Sequence, residues 1–140
     1  MENIIFRYFL KNYDISLTPE LPLINGGRAD LGIAIKDCET HLIEMIIVEI
    51  KQSWRDMYSG YGLNFIGSSN YLAVPSDLLG FAVSYLQHNM YKYVGVLEVC
   101  NNGYVRRIIE PEVYSKSPYF KYGYILSHLT PYHLRTKEVI

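Results

Sequence analysis

The chain has 140 residues, of which 49% are hydrophobic and 19% are charged, and its formal net charge is −1. This length fits one domain of ordinary size, and this composition excludes a disordered chain and a membrane protein. Because the chain is nearly neutral, its global charge does not drive binding to an anionic polymer, although residues 90–140 are basic overall and residues 1–89 acidic.

The N-terminal segment and the cysteines give expectations about location and metal content. Residues 1–7 contain no basic leader before an apolar segment, and no apolar run approaches the roughly 20 residues that cross a bilayer. We therefore expect a cytoplasmic protein that does not bind a membrane. Cys38 and Cys100 have no paired-ligand spacing, and the four histidines have none either, which argues against a zinc site.

Hydrophobic periodicity predicts, in chain order, a helix, three strands, a helix, a strand, a helix and a β-hairpin. The predicted helices cover residues 2–12, 53–59 and 76–87, and the predicted strands cover 20–24, 28–35, 42–51, 71–74, 93–99 and 104–109. This order predicts one α/β or α+β domain over residues 1–140, with helices packed against a β-sheet. Residues 111–140 form a C-terminal extension of undefined structure, with a candidate helix at 119–129.

Two of the predicted helices carry N-cap signals. Ser53 precedes the second helix and has Asp56 three residues later, which is a variant of the capping box. Ser76 or Asp77 can cap the third helix.

An acidic residue and a lysine follow the most strand-like segment of the chain. Strand periodicity places Glu49 and Lys51 on one face and Ile50 on the other. If the strands at 28–35 and 42–51 pair as an antiparallel hairpin, Asp30 lies opposite the end of its partner, near Glu49 and Lys51. Two carboxylates and one amine then converge at the edge of a sheet.

These residue types suit metal-assisted hydrolysis of a phosphodiester. Asp30 and Glu49, with the backbone carbonyl of Ile50, offer the hard oxygen ligands that Mg²⁺ or Mn²⁺ prefers. The ion would neutralise phosphate charge and activate a water, while Lys51 orients that water or stabilises developing charge. Glu20 is a further candidate ligand, or it helps to hold the ion's water shell. A structural ion pair of Glu49 and Lys51 at the surface is the competing interpretation.

Three segments resemble the PD-(D/E)XK nuclease superfamily. They are Gly-Gly-Arg-Ala-Asp-Leu at 26–31, Val-Glu-Ile-Lys-Gln-Ser at 48–53 followed by Asp56, and Asn-Tyr-Leu-Ala-Val-Pro at 70–75. Within the superfamily they resemble the small MmcB-like group, which is linked to DNA repair and is also met in phage and mobile-element genomes. The resemblance covers roughly residues 18–100, and the order and spacing of its segments are more specific than the Glu-x-Lys triplet alone.

The resemblance implies a restriction-endonuclease-like core, in which helices flank a central mixed β-sheet. It implies a metal-dependent DNA nuclease in repair, recombination or mobile-element biology, with Asp30 and Glu49 as ligands of Mg²⁺ or Mn²⁺ and Lys51 as the catalytic lysine. Glu20 is a weaker match to an acidic residue that precedes the glycine turn. Residues 58–65 depart from the pattern, because many relatives have a lysine and an aromatic residue in this segment.

The residues after Lys51 are candidates for substrate binding. Gln52 and Ser53 could hydrogen-bond the scissile phosphate, Trp54 could stack on a base and Arg55 could grip a phosphate. The structural alternatives are that Ser53 is only a helix cap and that Trp54 packs the helix onto the sheet.

A different class of function also stays open at this point. The chain could keep the nuclease fold without turnover and bind nucleic acid or a protein, as a homodimer or with a partner. Metal-assisted phosphodiester hydrolysis acts on DNA and RNA alike, so RNA is an open alternative to DNA as the substrate.

Overall fold

The structure is a computed structural model, and it describes residues 1–12, 16–23, 27–36, 43–59 and 63–118. Its centre is one six-stranded sheet in which the strands follow each other in chain order. The strands are β1 (Ser16–Pro22), β2 (Arg28–Lys36), β3 (Ile43–Ile50), β4 (Ser69–Pro75), β5 (Gly95–Val99) and β6 (Val105–Ile109). β3, β4 and β5 run parallel to one another, and the remaining neighbours are antiparallel.

Among the described residues, three helices flank this sheet: α1 (Glu2–Asn12), α2 (Trp54–Tyr58) and α3 (Leu79–His88), which follows a 3-10 turn at Ser76–Leu78. Parallel neighbours cannot be joined by a tight turn, so the chain crosses from β3 to β4 through α2 and from β4 to β5 through α3. As a result, the carboxyl ends of β3, β4 and β5 lie at the same edge of the sheet.

Alternation along the strands divides the core between the two faces of the sheet. On one face, Ile5 and Phe9 of α1 pack in a cluster with strand residues such as Val48, Tyr71 and Leu97. On the other face, residues of α2 and α3 pack with the alternate strand positions, Leu72, Val74 and Val96. Arg107 Nε donates a hydrogen bond to the Tyr8 hydroxyl at 3.1 Å and so joins β6 to α1.

The predicted α+β architecture, a central mixed sheet flanked by helices, is confirmed, and so is the predicted order of its elements. The first strand differs from the prediction because it begins earlier, at Ser16, and runs to Pro22. Proline lacks an N–H group and is tolerated on an edge strand, and β1 is the edge of this sheet. Pro22 therefore ends the strand and does not interrupt it.

The predicted side-chain cap of the third helix is wrong. Neither Pro75, the N-cap of the 3-10 turn, nor Leu78, the N-cap of α3, makes a side-chain cap hydrogen bond. The chain leaves β4 through Pro75 in an extended conformation and enters α3 through the 3-10 turn, so Ser76 and Asp77 lie within that turn.

The first part of the predicted C-terminal extension packs against the sheet. The Glu112 amide donates to the Tyr93 carbonyl at 2.9 Å, and the Tyr114 amide donates to the Ser68 carbonyl at 2.8 Å. The Tyr114 ring stacks on Tyr93 with a centroid distance of 4.3 Å. Residues 119–140, including the candidate helix at 119–129, lie outside the described residues. In the part of the chain that is described, no helix has the length and apolar character needed to cross a membrane.

Met57 packs α2 against the sheet, which contradicts the interpretation that Trp54 does so. Met57 is 0% exposed and belongs to the cluster that contains Leu72 and Val74, whereas Trp54 is 54% exposed. In a helix of only five residues one position faces the core, and the sequence pattern did not identify which.

We predict that Met57→Ala lowers the free energy of unfolding by roughly 2–5 kcal/mol, because it leaves a cavity under α2. Trp54→Ala should change that free energy by no more than about 0.5 kcal/mol, as for other surface substitutions. Urea denaturation of both variants measures the two effects. A larger loss for Trp54→Ala than for Met57→Ala would contradict this account of α2.

Candidate active site

Asp30 and Glu49 meet where β2 and β3 stop pairing as a regular ladder. The last paired residues are Leu31 and Val48. Beyond them the Asp30 amide donates to Glu49 Oε1 at 3.1 Å, and the Ile50 amide donates to Asp30 Oδ2 at 2.7 Å. Each carboxylate thus accepts a hydrogen bond from the backbone of the other strand. This reciprocal arrangement holds the two acidic side chains next to each other.

Burial makes the ionised form of this pair costly. Glu49 is 1% exposed, and burial, followed by the negative charge of Asp30, raises its pKa to about 8. The amides of Asp30 and Asn64 and the charge of Lys51 act in the opposite direction, but they do not restore the ordinary pKa. Burial also raises the pKa of the half-buried Asp30. The site therefore favours a bound proton or another cation.

Lys51 lies beside these two carboxylates. Its amide donates to the Ala73 carbonyl at 3.0 Å, which extends the pairing of β3 with β4 by one residue. Its side chain is nearly buried, and Nζ lies 3.6 Å from Oδ1 of the exposed Asp56. The Lys51 charge lowers the pKa of both Asp30 and Glu49. The structure thus brings together the three residues that the sequence analysis singled out.

The capped helix α2 positions Asp56 against Lys51. Ser53 has an extended backbone, and its Oγ accepts a hydrogen bond from the Asp56 amide at 3.2 Å. The predicted cap is therefore confirmed, and α2 starts at Trp54, three residues after Lys51. Gln52, Ser53, Trp54 and Arg55 are all exposed, so this segment faces solvent next to the buried carboxylates.

Glu20 lies across from Asp30 on the neighbouring strand. Its position on β1 falls between the pairs Pro19 with Leu31 and Leu21 with Ala29. Glu20 is exposed and has a φ of 52°, a left-handed conformation that non-glycine residues seldom adopt. Its charge contributes to the raised pKa of Asp30.

Asn64 is a residue of this site that the sequence analysis missed. Its backbone N–H hydrogen-bonds the Glu49 carboxylate, and its side-chain amide donates to the Arg28 carbonyl at 3.2 Å. The neighbouring Phe65 is 2% exposed, and the partly buried Leu63 and Ile66 pack against core clusters, so the segment from 63 to 66 packs against the sheet. No pattern in a segment without regular secondary structure marks such a residue, since its role arises from contacts far along the chain.

The residues present fit a hard divalent cation held by two carboxylates. Across the described ranges, no three side chains of Asp, Glu, His or Cys cluster as a metal site. Asp30 and Glu49 together could offer two carboxylates, which is the number that Mg²⁺ commonly takes from a protein while it keeps several waters. A cation at this position would offset the cost of burial, and for Glu49 also the negative charge of Asp30, which together raise the pKa.

Comparison with known proteins bears on the fold. No protein-family model matches the chain, and no curated protein matches it. The chain is similar in structure to a protein of unknown function from Silicibacter pomeroyi, with a TM-score of 0.53 and 13% sequence identity over 96% of this chain and 88% of that one. At this identity the likeness shows a shared α+β fold and carries no information about chemistry.

We predict that the metal-free protein loses stability as the pH rises from about 5 to about 8. The folded state keeps a proton on Glu49 up to a pKa of about 8, whereas the unfolded state releases it near the ordinary value of 4.5. Between these values the folded state binds more protons, so the free energy of unfolding falls with pH, by at most about 1.4 kcal/mol per pH unit from this one group.

Urea denaturation in EDTA at several pH values measures this slope, and Glu49→Gln should flatten it. Glu44→Gln, an exposed carboxylate on the same strand, is the matched control and should keep the wild-type slope. An equal slope in the wild type and in Glu49→Gln would show that Glu49 does not titrate in this range.

Proposed function

We propose that the chain is a metal-dependent nuclease that hydrolyses phosphodiester bonds of DNA. The observation that carries this proposal is that the buried Glu49 and the half-buried Asp30, each held by a backbone hydrogen bond from the other strand, lie beside Lys51 at the edge where three parallel strands end. The resemblance to the PD-(D/E)XK superfamily supports the same function and suggests a role in DNA repair, recombination or phage and mobile-element biology.

Asp30 and Glu49 would hold Mg²⁺ or Mn²⁺, with the Ile50 carbonyl and, more peripherally, Glu20 as further oxygen donors. When bound, the ion supplies charge neutralisation for the phosphate and acidity for a water. The protein's part is to keep the two acids together. It does so through the hydrogen bonds from the backbone of Asp30, Ile50 and Asn64.

Lys51 would donate hydrogen bonds from Nζ to the attacking water or to a phosphate oxygen. The Lys51 side chain is buried beside the two carboxylates, and at this position it would face the charge that develops on the phosphate. The contact with Asp56 limits the positions that Nζ can take. Because Asp56 is exposed, an incoming phosphate could share the ammonium with it.

The solvent side of the site favours a polymeric substrate. Asp30 is half-buried, so a substrate would reach the carboxylate pair from the side of Asp30. Directly after Lys51 begins an exposed segment, which consists of Gln52, Ser53, Trp54 and Arg55. Hydroxyl, amide and guanidinium groups are typical of contacts to a phosphate backbone.

We predict that the protein cleaves DNA in Mg²⁺ or Mn²⁺ and that Asp30→Asn, Glu49→Gln and Lys51→Met each lower the cleavage rate at least about 100-fold. Branched, nicked, single-stranded and duplex DNA, with single-stranded RNA alongside, are the substrates for the assay. Glu44→Gln is the control for loss of a carboxylate and should cleave at the wild-type rate.

Cleavage that persists in Asp30→Asn and Lys51→Met would refute the proposed site. Salt-dependent DNA binding without cleavage in either ion would instead support the second function, a nucleic-acid-binding module that keeps the fold without turnover.

We also predict that Mn²⁺ binding to the wild type releases protons near pH 7. Glu49 must lose the proton that its raised pKa holds before it can bind the ion. Titration calorimetry in two buffers of different ionisation enthalpy measures this release. Glu49→Gln should weaken binding at least about 10-fold and abolish the release, whereas Glu44→Gln should change neither. Binding of equal strength in Glu49→Gln would show that the ion lies elsewhere.

A further inference from the structure

Four aromatic residues of α2 and α3 form a continuous surface, which we name the aromatic strip: Trp54, Tyr58, Phe81 and Tyr85. Trp54 meets Tyr58 edge to face with a centroid distance of 6.2 Å, Tyr58 stacks on Phe81 at 6.3 Å, and Phe81 lies 6.3 Å from Tyr85. Trp54 is 54% exposed, Tyr58 71% and Phe81 36%. Large aromatic side chains exposed in a row are typical of binding surfaces.

A cavity opens at the α3 end of the strip. It has a volume of about 330 Å³, which is more than a nucleobase needs. Its lining residues are Tyr58, Phe81, Ser84, Tyr85, His88 and Asn89. A lining that combines aromatic rings with hydroxyl, amide and imidazole groups suits a planar ligand that has polar edges.

The strip begins close in sequence to the candidate active site and shares a helix with it. Trp54 is the first residue of α2, and the same helix carries Asp56, which contacts Lys51. The Arg55 guanidinium lies 5.6 Å from the centroid of the Trp54 ring. A chain whose phosphate lies at Asp30 and Glu49 therefore meets Arg55 and Trp54 first and can continue over Tyr58 and Phe81.

The chemistry of the strip favours exposed bases over a duplex. No lysine or arginine is among the residues that line the cavity. Binding of a duplex depends mainly on cationic contacts with its phosphates, because its bases are stacked on each other. Bases of a single strand are free to stack on aromatic side chains, and such stacking tolerates any sequence.

We propose that the aromatic strip binds single-stranded nucleic acid, with successive bases stacked on Trp54, Tyr58 and Phe81 and one base in the cavity beside Tyr85. This inference deepens the proposed function. The binding stands on the geometry of the strip, and the assignment of the bound strand as the substrate rests on the proposed nuclease site.

The experiment uses the intrinsic fluorescence of Trp54, which is the only tryptophan of the chain. The full-length protein is titrated with a 12-nucleotide oligothymidylate and, separately, with a 12-base-pair duplex, both in EDTA so that no cleavage occurs. We expect the single strand to quench the fluorescence and to bind at least about 10-fold more tightly than the duplex. The affinity should change only about threefold between 50 and 200 mM NaCl if one phosphate contact is made, from Arg55 beside Trp54.

The variants test stacking directly. Tyr58→Ala and Phe81→Ala should each weaken binding about 10-fold, whereas Tyr58→Phe keeps the ring and should bind as the wild type does. Tyr104→Ala is the matched control, since Tyr104 is 70% exposed but belongs to the turn between β5 and β6. It should leave binding unchanged.

Several outcomes would overturn the inference: no quenching by the oligothymidylate, equal binding of the duplex, or full affinity in both alanine variants. Sedimentation equilibrium tests a further contrary outcome. A dimer that dissociates in Tyr58→Ala would assign the strip to contacts with a second copy of the chain.

Quenching and binding without cleavage in Mg²⁺ would support nucleic-acid binding by the strip and contradict the nuclease function. Cleavage that is insensitive to Tyr58→Ala and Phe81→Ala would support the nuclease and contradict the role of the strip in binding its substrate.

Discussion

The buried carboxylate of Glu49 is the constraint on which the candidate site depends. A carboxylate at 1% exposure is costly to ionise, and the half-buried Asp30 beside it adds to the cost. The backbone N–H groups of Asp30 and Asn64 and the charge of Lys51 offset part of this cost, but the pKa of Glu49 is still about 8. Because part of the cost of ionising Glu49 is not offset, this arrangement does little for the stability of the fold. Strongly shifted pKa values of this kind are concentrated at functional sites.

The architecture of the sheet explains why this pair and the aromatic strip occur together. β3 pairs with β2 in the antiparallel direction and with β4 in the parallel direction. At the carboxyl end of β3 the regular pairing with β2 stops, and the chain must cross over to reach the start of β4. The divergence leaves backbone N–H groups that the side chains of Asp30 and Glu49 satisfy. The crossover begins at once with α2, whose short length buries Met57 and leaves Trp54 and Tyr58 at the surface.

Local signals account for the parts of the structure that were predicted correctly. The β-branched run of β3, the Ser53 cap and the turn between β5 and β6 each depend on neighbours within a few residues, and the structure contains all three. The approach of Asp30 to Glu49 also followed from the sequence, because a short connection between two strands makes antiparallel pairing the simple expectation. The exposure of Trp54 did not follow, since one turn of helix gives no reliable amphipathic pattern.

The sequence by itself determined the order of the elements, the mixture of helix and strand and the three residue types that converge at the end of β3, because hydrophobic period and capping are encoded over short distances. Only the tertiary structure decided that Asn64 binds Glu49, that Met57 anchors α2 and that rings from two helices form one strip. These features join residues that are separated by crossovers, and their contacts depend on how the helices pack against the sheet, which no local pattern specifies.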